Sequence, residues 1–474
     1  TVFMEGEVPC EFKSIALDIA QLEYQLWPRV WWQEDVWDNY EAYYNAVVNW
    51  VANFSKQGIS FYGVYDGPSS VFKLDTSVTK NLSEYIKTEQ QVIAGFESGQ
   101  PDIWRRAHAR PPLTGDCLDA AISGKLTRII SSVGEADPIL ATLCKSGLCG
   151  AVMSSDSDFL VYGIPLIRWD GNRFQLFQPH DVETALEIDR SLFPILPVLV
   201  GNDSFEGIFG RGHFVEAVRF IKENSAEFLP LCKAGEIDQV VKRIVEKIQI
   251  QTPDIEGMKR VLETYMRVPP ATEATWKPLR EKLIEAGYRI NLPKESEPKN
   301  FGTMLCVLIQ GYWKSKIVPE DISRRSNDTV LAPLRHETYR LLGIQTVSEL
   351  VRIRDEYGDR IDDHNVPVSP KEIPETKEER LRLINEICSV NASVPPGKGL
   401  KGCMLGFIRR QDVCGQDVDL VRAACSYFEN KEDSIPIPKI ASAIHWFNFI
   451  TLLWREIREL NEVLGRPIDS SEFS

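Results

Sequence analysis

No CxxC pair occurs among the ten cysteines, which scatter from Cys10 to Cys425, and six dispersed histidines make no zinc-finger spacing. Both absences argue against structural zinc or a disulfide scaffold. The scattered thiols predict an intracellular, reducing setting, nucleus or cytoplasm unresolved. No apolar run reaches membrane length: the longest candidate, residues 444–454, is broken by His445 and Asn448, so a buried helix and no membrane partner are expected. The start, Thr1-Val2-Phe3-Met4, lacks the basic-then-apolar layout of a signal peptide, which predicts no secretion signal. Basic charge is in deficit too. With 54 Lys and Arg against 68 Asp and Glu, the formal net charge of −14 argues against a chain that coats nucleic acid nonspecifically. It leaves room for a local basic path, because phosphate-processing sites that hold metal are themselves acidic.

What the sequence does have is carboxylates at the ends of apolar stretches. Residues 12–20 read as a strand ending at Asp18, and residues 59–68 as a second buried strand ending at Asp66 with an immediate Gly-Pro turn. Residues 151–153, Ala-Val-Met, form a short apolar strand. Asp156 and Asp158 leave its carboxyl end on a Ser-rich turn, with side chains pointing the same way. Ahead of it, Asp137-Pro138 reads as an N-cap with proline at the first helical position, and Ile139, Leu140 and Leu143 give the helix an apolar face. Glu135 and Asp137 then sit at its mouth. A further buried segment, residues 193–200, runs into Gly-Asn-Asp203. In open parallel α/β sheets ligands bind beyond the carboxyl ends of the strands, so these acids are expected to share one crevice. Like charges crowded there either share protons or bind a hard divalent cation.

Residues 69–110 carry Lys73, Lys80, Arg105, Arg106 and Arg110, which read either as a solvated helix face or as a phosphate-gripping arch above the crevice. In the aromatic stretch before them, Ala46, Val47, Trp50, Val51 and Phe54 share one face of a helix over 41–54 and belong to a core. Trp31 and Trp32 fall outside that period, where stacking on exposed bases is the alternative to burial. Residues 163–177 look like a turn and hairpin with Asp170-Gly171 at its tip. The glycine-rich 207–212 precedes a helix over 214–223, as a plain helix start or as a set of backbone N–H groups for a phosphate. Residues 236–288 are helical in pattern. Further helices are expected at 304–313, 330–342, 346–353, 377–387, 402–408, 420–428 and 440–464, with the charged, proline-bearing 355–376 as a loop or extended arm. A chain of 474 residues can bury two or three cores. The expected architecture is an α/β domain over 1–225, with a mainly parallel central sheet and helices on both faces. A helical bridge over 226–295 and a largely helical C-terminal domain over 296–474 follow.

The ordered series Ala-Leu-Asp18, Val-Tyr-Asp66-Gly, Gly-Glu135-Ala-Asp137, Ser-Ser-Asp156-Ser-Asp158-Phe and Leu-Val-Gly-Asn-Asp203 resembles the metal-binding acidic set of the flap endonuclease (XPG-like, PIN-like) nucleases. Within that superfamily the wording is similar to the asteroid proteins, as is the C-terminal phrase Leu-Ala-Pro-Leu-Arg-His-Glu-Thr-Tyr-Arg-Leu-Leu at 331–342. The resemblance implies a PIN-like/XPG-like nuclease domain and metal-dependent hydrolysis of DNA or RNA phosphodiesters at ends, overhangs or flaps, using two Mg²⁺ or Mn²⁺ ions. It implies that Glu135, Asp137, Asp156 and Asp158 coordinate directly or through water, with Asp18, Asp66 and Asp203 completing or orienting the shell. Lys73 and Lys80, seven and fourteen residues after Asp66, would steady the scissile phosphate. Arg105, Arg106 and Arg110 would extend that grip. The family's Met-Gly-Ile start is absent, and its glycine-rich duplex-binding hairpin is only echoed at 207–212, which points to single-stranded or branched nucleic acid as partner. Several asteroid-like relatives are thought of as adaptors. The resemblance therefore also implies an alternative, a noncatalytic protein that binds RNA or protein partners through the same fold and the helical C-terminal region.

Overall fold

The apolar runs that end at Asp18 and Asp66 and precede Asp156 are strands of one sheet. In this computed structural model the residues described are 2–4, 12–23, 25–26, 40–67, 91, 94, 98, 114–131, 135–169, 173–267, 312–314, 327–355, 358–388 and 440–468. The chain divides into two compact units. Thr1–Val30, Tyr40–Ser77 and Asp116–Thr275 form the first, and Trp31–Asn39, Val78–Gly115 and Trp276–Ser474 the second.

Seven strands make the sheet of the first unit: β1 (Val2–Met4), β2 (Ser14–Asp18), β3 (Ser60–Tyr65), β4 (Arg128–Ser131), β5 (Ala151–Met153), β6 (Leu166–Trp169) and β7 (Arg173–Phe177). Their order is β1-β7-β6-β5-β2-β3-β4. Strands β4, β3, β2, β5 and β6 run parallel. The expected hairpin is β6 with β7, antiparallel, and β1 adds to its outer edge. The chain moves outward from β2 to β3 and β4, then returns to the other side of β2 as β5. The switch point of the sheet therefore lies between β2 and β5.

Both faces are covered, which explains why these strands read as continuous apolar runs rather than as alternating ones. On one side α1 (Tyr40–Lys56) packs Trp50 and Phe54 against Phe61, Trp169 and Phe174, with ring centroids 5.2 to 5.7 Å apart. On the other, Ala16, Val64, Val152 and Leu166 share a core with Ile139, Leu140 and Leu143 of α3 (Asp137–Lys145). Between them in sequence is α2 (Thr114–Ile122), and after β5 comes the single turn α4 (Asp158–Val161). Two short helices follow, α5 (Pro179–Leu186) and α6 (Ile195–Val200). Residues 193–200 are thus a buried segment, as expected, in helical form. The same core continues through α7 (Phe214–Ala234), α8 (Ile237–Ile248) and α9 (Ile255–Met266), which contribute Ile221, Phe228, Val240, Ile244, Val261 and Leu262.

The second unit is largely helical, with α10 (Asn327–Leu342), α11 (Lys377–Cys388) and α12 (Ile440–Val463) where the apolar periodicity predicts them. Residues 346–353, expected as a helix, are instead part of strand β9 (Thr346–Asp355). It pairs antiparallel with β10 (Gly358–Pro367), inside the stretch expected as a loop or arm, and parallel with β8 (Tyr312–Lys314), which overlaps the end of the helix expected over 304–313. The cause lies at position 349. Val347, Glu349 and Val351 are buried at period two, but the middle one is a carboxylate, and that hides the strand alternation. No helix of the described residues is long and apolar enough to cross a membrane. The helices expected at 402–408 and 420–428, and Trp31 and Trp32, lie outside the described residues.

Candidate functional site

Sheet register decides which acids become neighbours. Leu17 pairs with Met153 across β2 and β5, so the next residues, Asp18 and Ser154, face each other at the switch point, and Ser154 Oγ donates to Asp18 Oδ2 at 2.9 Å. Asp18 also pairs in register with Val64 of β3, two residues before Asp66. Burial and the charge of Asp66 push the Asp18 carboxyl up to about 6. Gln21, buried one helical turn after Asp18, ties the two strand ends together: its Oε1 accepts from Ser155 N at 3.0 Å and its own N–H reaches Asp18 Oδ1 at 3.4 Å.

Asp66 leaves the end of β3 and accepts at Oδ1 from the backbone N–H of Ala136, 2.8 Å away. Ala136, not Asp137, is the cap position of α3; Asp137 and Pro138 occupy its first turn. The N-cap assignment is thereby corrected by one residue. Physically, an Asp from a distant strand satisfies an N–H at the start of α3, and Asp137 adds a negative charge where the helix dipole favours it. Across the crevice the turn after β5 folds on itself. Asp156 N donates to Ser154 Oγ at 3.2 Å, and Asp158 N donates to Asp156 Oδ1 at 2.8 Å.

Tyr162 lies within electrostatic reach of both acid pairs. Its phenol is pushed far up by burial and then by the charges of Asp137, Asp158, Glu135 and Asp156 together. All four charges thus act on one phenol, whose ring is contacted by Lys145 Nζ, 5.7 Å from the centroid, and by Tyr265, 4.8 Å ring to ring. Tyr265 Oη donates to Asp158 Oδ2 at 2.6 Å, and Asn202 Nδ2 lies 3.4 Å from that hydroxyl. Asp203 is placed differently. It sits on the turn after α6 with its side chain 72% exposed, paired with Arg211 at 3.3 Å. The turn closes backbone on backbone. Gly201 and Gly207 both have positive φ, and a Cβ on Gly207 would lie 2.2 Å from Gly201 N, so only glycine fits there.

Six of the seven sequence-selected acids, Asp18, Asp66, Glu135, Asp137, Asp156 and Asp158, are thus brought to the carboxyl-end side of the parallel strands, and Asp203 to the adjacent turn. Lys73, Lys80, Arg105, Arg106 and Arg110 lie outside the described residues. Among the described residues no three His, Cys, Asp or Glu side chains draw together tightly enough to hold one ion between them. Sequence reasoning missed Ser154, Gln21, Tyr162, Asn202 and Tyr265. Gln21 lies three residues after Asp18, whereas Ser154 reaches Asp18 across 136 residues and Tyr265 follows Asp158 by 107, with no local signal. The electrostatics give one direct expectation. The folded state holds a proton on Asp18 more tightly than the unfolded chain does, so without metal this group costs stability as pH rises from about 4 through about 6. Asp18→Asn should therefore raise the melting temperature in chelator-treated buffer above pH 6, with the difference vanishing by pH 4, in thermal unfolding followed across that range.

Residues 127–203 match the XPG I-region family model. In sequence the chain is similar to Flap endonuclease 1 of Methanococcus aeolicus, 25% identical over 218 residues, covering 42% of this chain and 66% of that protein. It is similar also to Exonuclease 1 of Danio rerio, 22% identical over 262 residues, covering 52% of this chain and 30% of that one. The chain thus spans just under two thirds of the first relative and under a third of the second. Among solved structures it is similar to the catalytic core of Rad2 in complex with DNA substrate, at 18% identity and a TM-score of 0.36, covering 54% of this chain and 80% of that one.

Proposed function

We propose that this relative of the XPG-like, flap endonuclease superfamily is an intracellular metal-dependent nuclease that hydrolyses DNA or RNA phosphodiesters at single-stranded ends, overhangs or flaps. One observation carries the reading: six acids from three strand ends and two helix starts stand on the carboxyl-end side of a parallel sheet, beside its switch point, four of them inside the matched 127–203 segment. The donor chemistry fits a hard cation, since the acids offer oxygen and neither sulfur nor imidazole. Magnesium takes one or two carboxylates and keeps several waters, so the pairs Asp156 with Asp158 and Glu135 with Asp137 suit it without a cage of three acids.

Two Mg²⁺ or Mn²⁺ ions bound there would supply an activated water and stabilise the leaving oxygen of the phosphodiester. The chain's own part is to hold the carboxylates in place. Ser154 turns Asp18 toward β5, the Ala136 N–H fixes Asp66 at the mouth of α3, and the Asp158 N–H fixes one oxygen of Asp156. Lys73 and Lys80, with Arg105, Arg106 and Arg110, are the proposed phosphate grip. The alternative is a noncatalytic adaptor of the asteroid type. End-labelled DNA and RNA, each as single strand, overhang and flap, separate the two. Cleavage in Mg²⁺ or Mn²⁺ that stops on chelation is the expected result; no product from any substrate would leave the adaptor reading in its place.

A further inference from the structure

We infer that Tyr265, on a helix far downstream of the acids, is a positioning residue that sets the orientation of Asp158 toward bound metal; the inference rests on the metal-dependent reading above. Tyr265 is buried at 4% exposure, and its hydroxyl spends its proton on Asp158 Oδ2 at 2.6 Å, a charge-assisted bond. Its ring packs against Tyr162, and its oxygen accepts from Asn202 Nδ2 at 3.4 Å.

The helix that carries Tyr265 is itself locked to the site. Asp254 caps α9 by accepting from Gly257 N at 2.8 Å. Gly257 lies so close to Phe205 that a Cβ there would sit 2.9 Å from its ring, and Phe205 belongs to the turn closed by Gly201 and Gly207. Asn202 of the same turn is held by bonds from Ser204 N and Oγ to its Oδ1, which aims its amide at Tyr265. A continuous chain of packed groups thus runs from α9 through this turn to Asp158. One oxygen of Asp156 is fixed by the chain's own turn, and one oxygen of Asp158 by Tyr265. A hydrogen bond of this kind stabilises the ionised carboxylate and removes its rotational freedom, and loss of such partners weakens metal sites by about tenfold to a hundredfold.

The test is Mn²⁺ affinity by isothermal titration on the full chain, for wild type, Tyr265→Phe, Asp158→Asn and the double variant. Tyr265→Phe is expected to weaken Mn²⁺ binding by about tenfold to a hundredfold. In the Asp158→Asn background the same change should have little further effect, because Tyr265 acts through that carboxylate. A merely structural role would lower the metal-free melting temperature without moving the affinity, or would add fully to Asp158→Asn; either result overturns the inference. If Tyr265→Phe does not fold, Asn202→Ala replaces it, with a smaller loss of affinity in the same direction expected and an unchanged affinity overturning the idea. A wild-type chain that binds no Mn²⁺ would overturn the metal-dependent reading itself, a result distinguishable from a wild type that binds and a Tyr265→Phe that binds equally well.

Discussion

Changing Asp156 and Asp158 together to asparagine should abolish cleavage, with a loss of several orders of magnitude where cations stabilise both the attacking and the leaving oxygens. The fold should survive. Asparagine keeps a side-chain oxygen that can accept the Asp158 N–H and the Tyr265 hydroxyl, so the turn after β5 retains its internal bonds. Removing two of the four charges that act on Tyr162 should leave the metal-free protein as stable as before, or more so, because the native state brings together carboxylates that the unfolded chain keeps apart. The signature is therefore a divergence between two measurements. Wild type should melt at a higher temperature when Mn²⁺ is added, since a ligand that binds only the folded state stabilises it by about 2.7 kcal/mol at a hundredfold excess over its dissociation constant. The double variant should lose that increment together with its activity. Activity that persists in the variant would be contamination, and a Mn²⁺ increment that persists would move the metal elsewhere.

The acids were legible in the sequence because each closes an apolar strand or opens a helix, and strand-end placement follows from topology alone once the sheet is parallel. Asp18 and Asp156 needed nothing further. Their separation of 138 residues collapses because β5 returns to lie beside β2, on the side away from β3. Asp66 was placed correctly, but its partner was not foreseen: the start of α3 is held by this carboxylate rather than by the side chain of Asp137. Tyr265 could not be read at all. It is a core aromatic at helical spacing, indistinguishable by pattern from Val261 and Leu262 beside it, and only the docking of α9 on the 201–207 turn turns its hydroxyl toward an acid. The misreading of 346–353 has the same root. Burial of a charge is invisible to periodicity when its partner lies on another element.

That partner is Arg335, and the largest stability loss in the second unit is expected from Glu349→Gln. Glu349 and Arg335 are each 1% exposed, with Arg335 Nε 3.3 Å from Glu349 Oε1, and Tyr339 donates to the same oxygen at 2.9 Å. His336 Nε2 lies 3.3 Å and His364 Nε2 3.7 Å from Oε2. Burial alone would raise this carboxyl; His336, Arg335 and Tyr339 outweigh it and hold the group at about 2. Taking the charge away leaves Arg335 buried in a site built to neutralise it, and breaking such a pair costs about 3–5 kcal/mol. Denaturant unfolding should show the transition of this unit shifted to lower concentration, with that of the α/β unit unmoved if the two unfold separately. The pH dependence follows from the depressed value. Wild-type stability from this group is complete above about 4.5, its unfolded value, and is lost as pH falls toward about 2. Glu349→Gln should lack that acid limb. Replacing Arg335 and Glu349 together by Met and Leu supplies the decisive contrast: an apolar pair removes the orphaned charge, so much of the loss should be regained. If the double replacement proves as damaging as Glu349→Gln alone, the cost belongs to packing around Tyr339 and the two histidines, and the buried ion pair is not what holds β9 to α10.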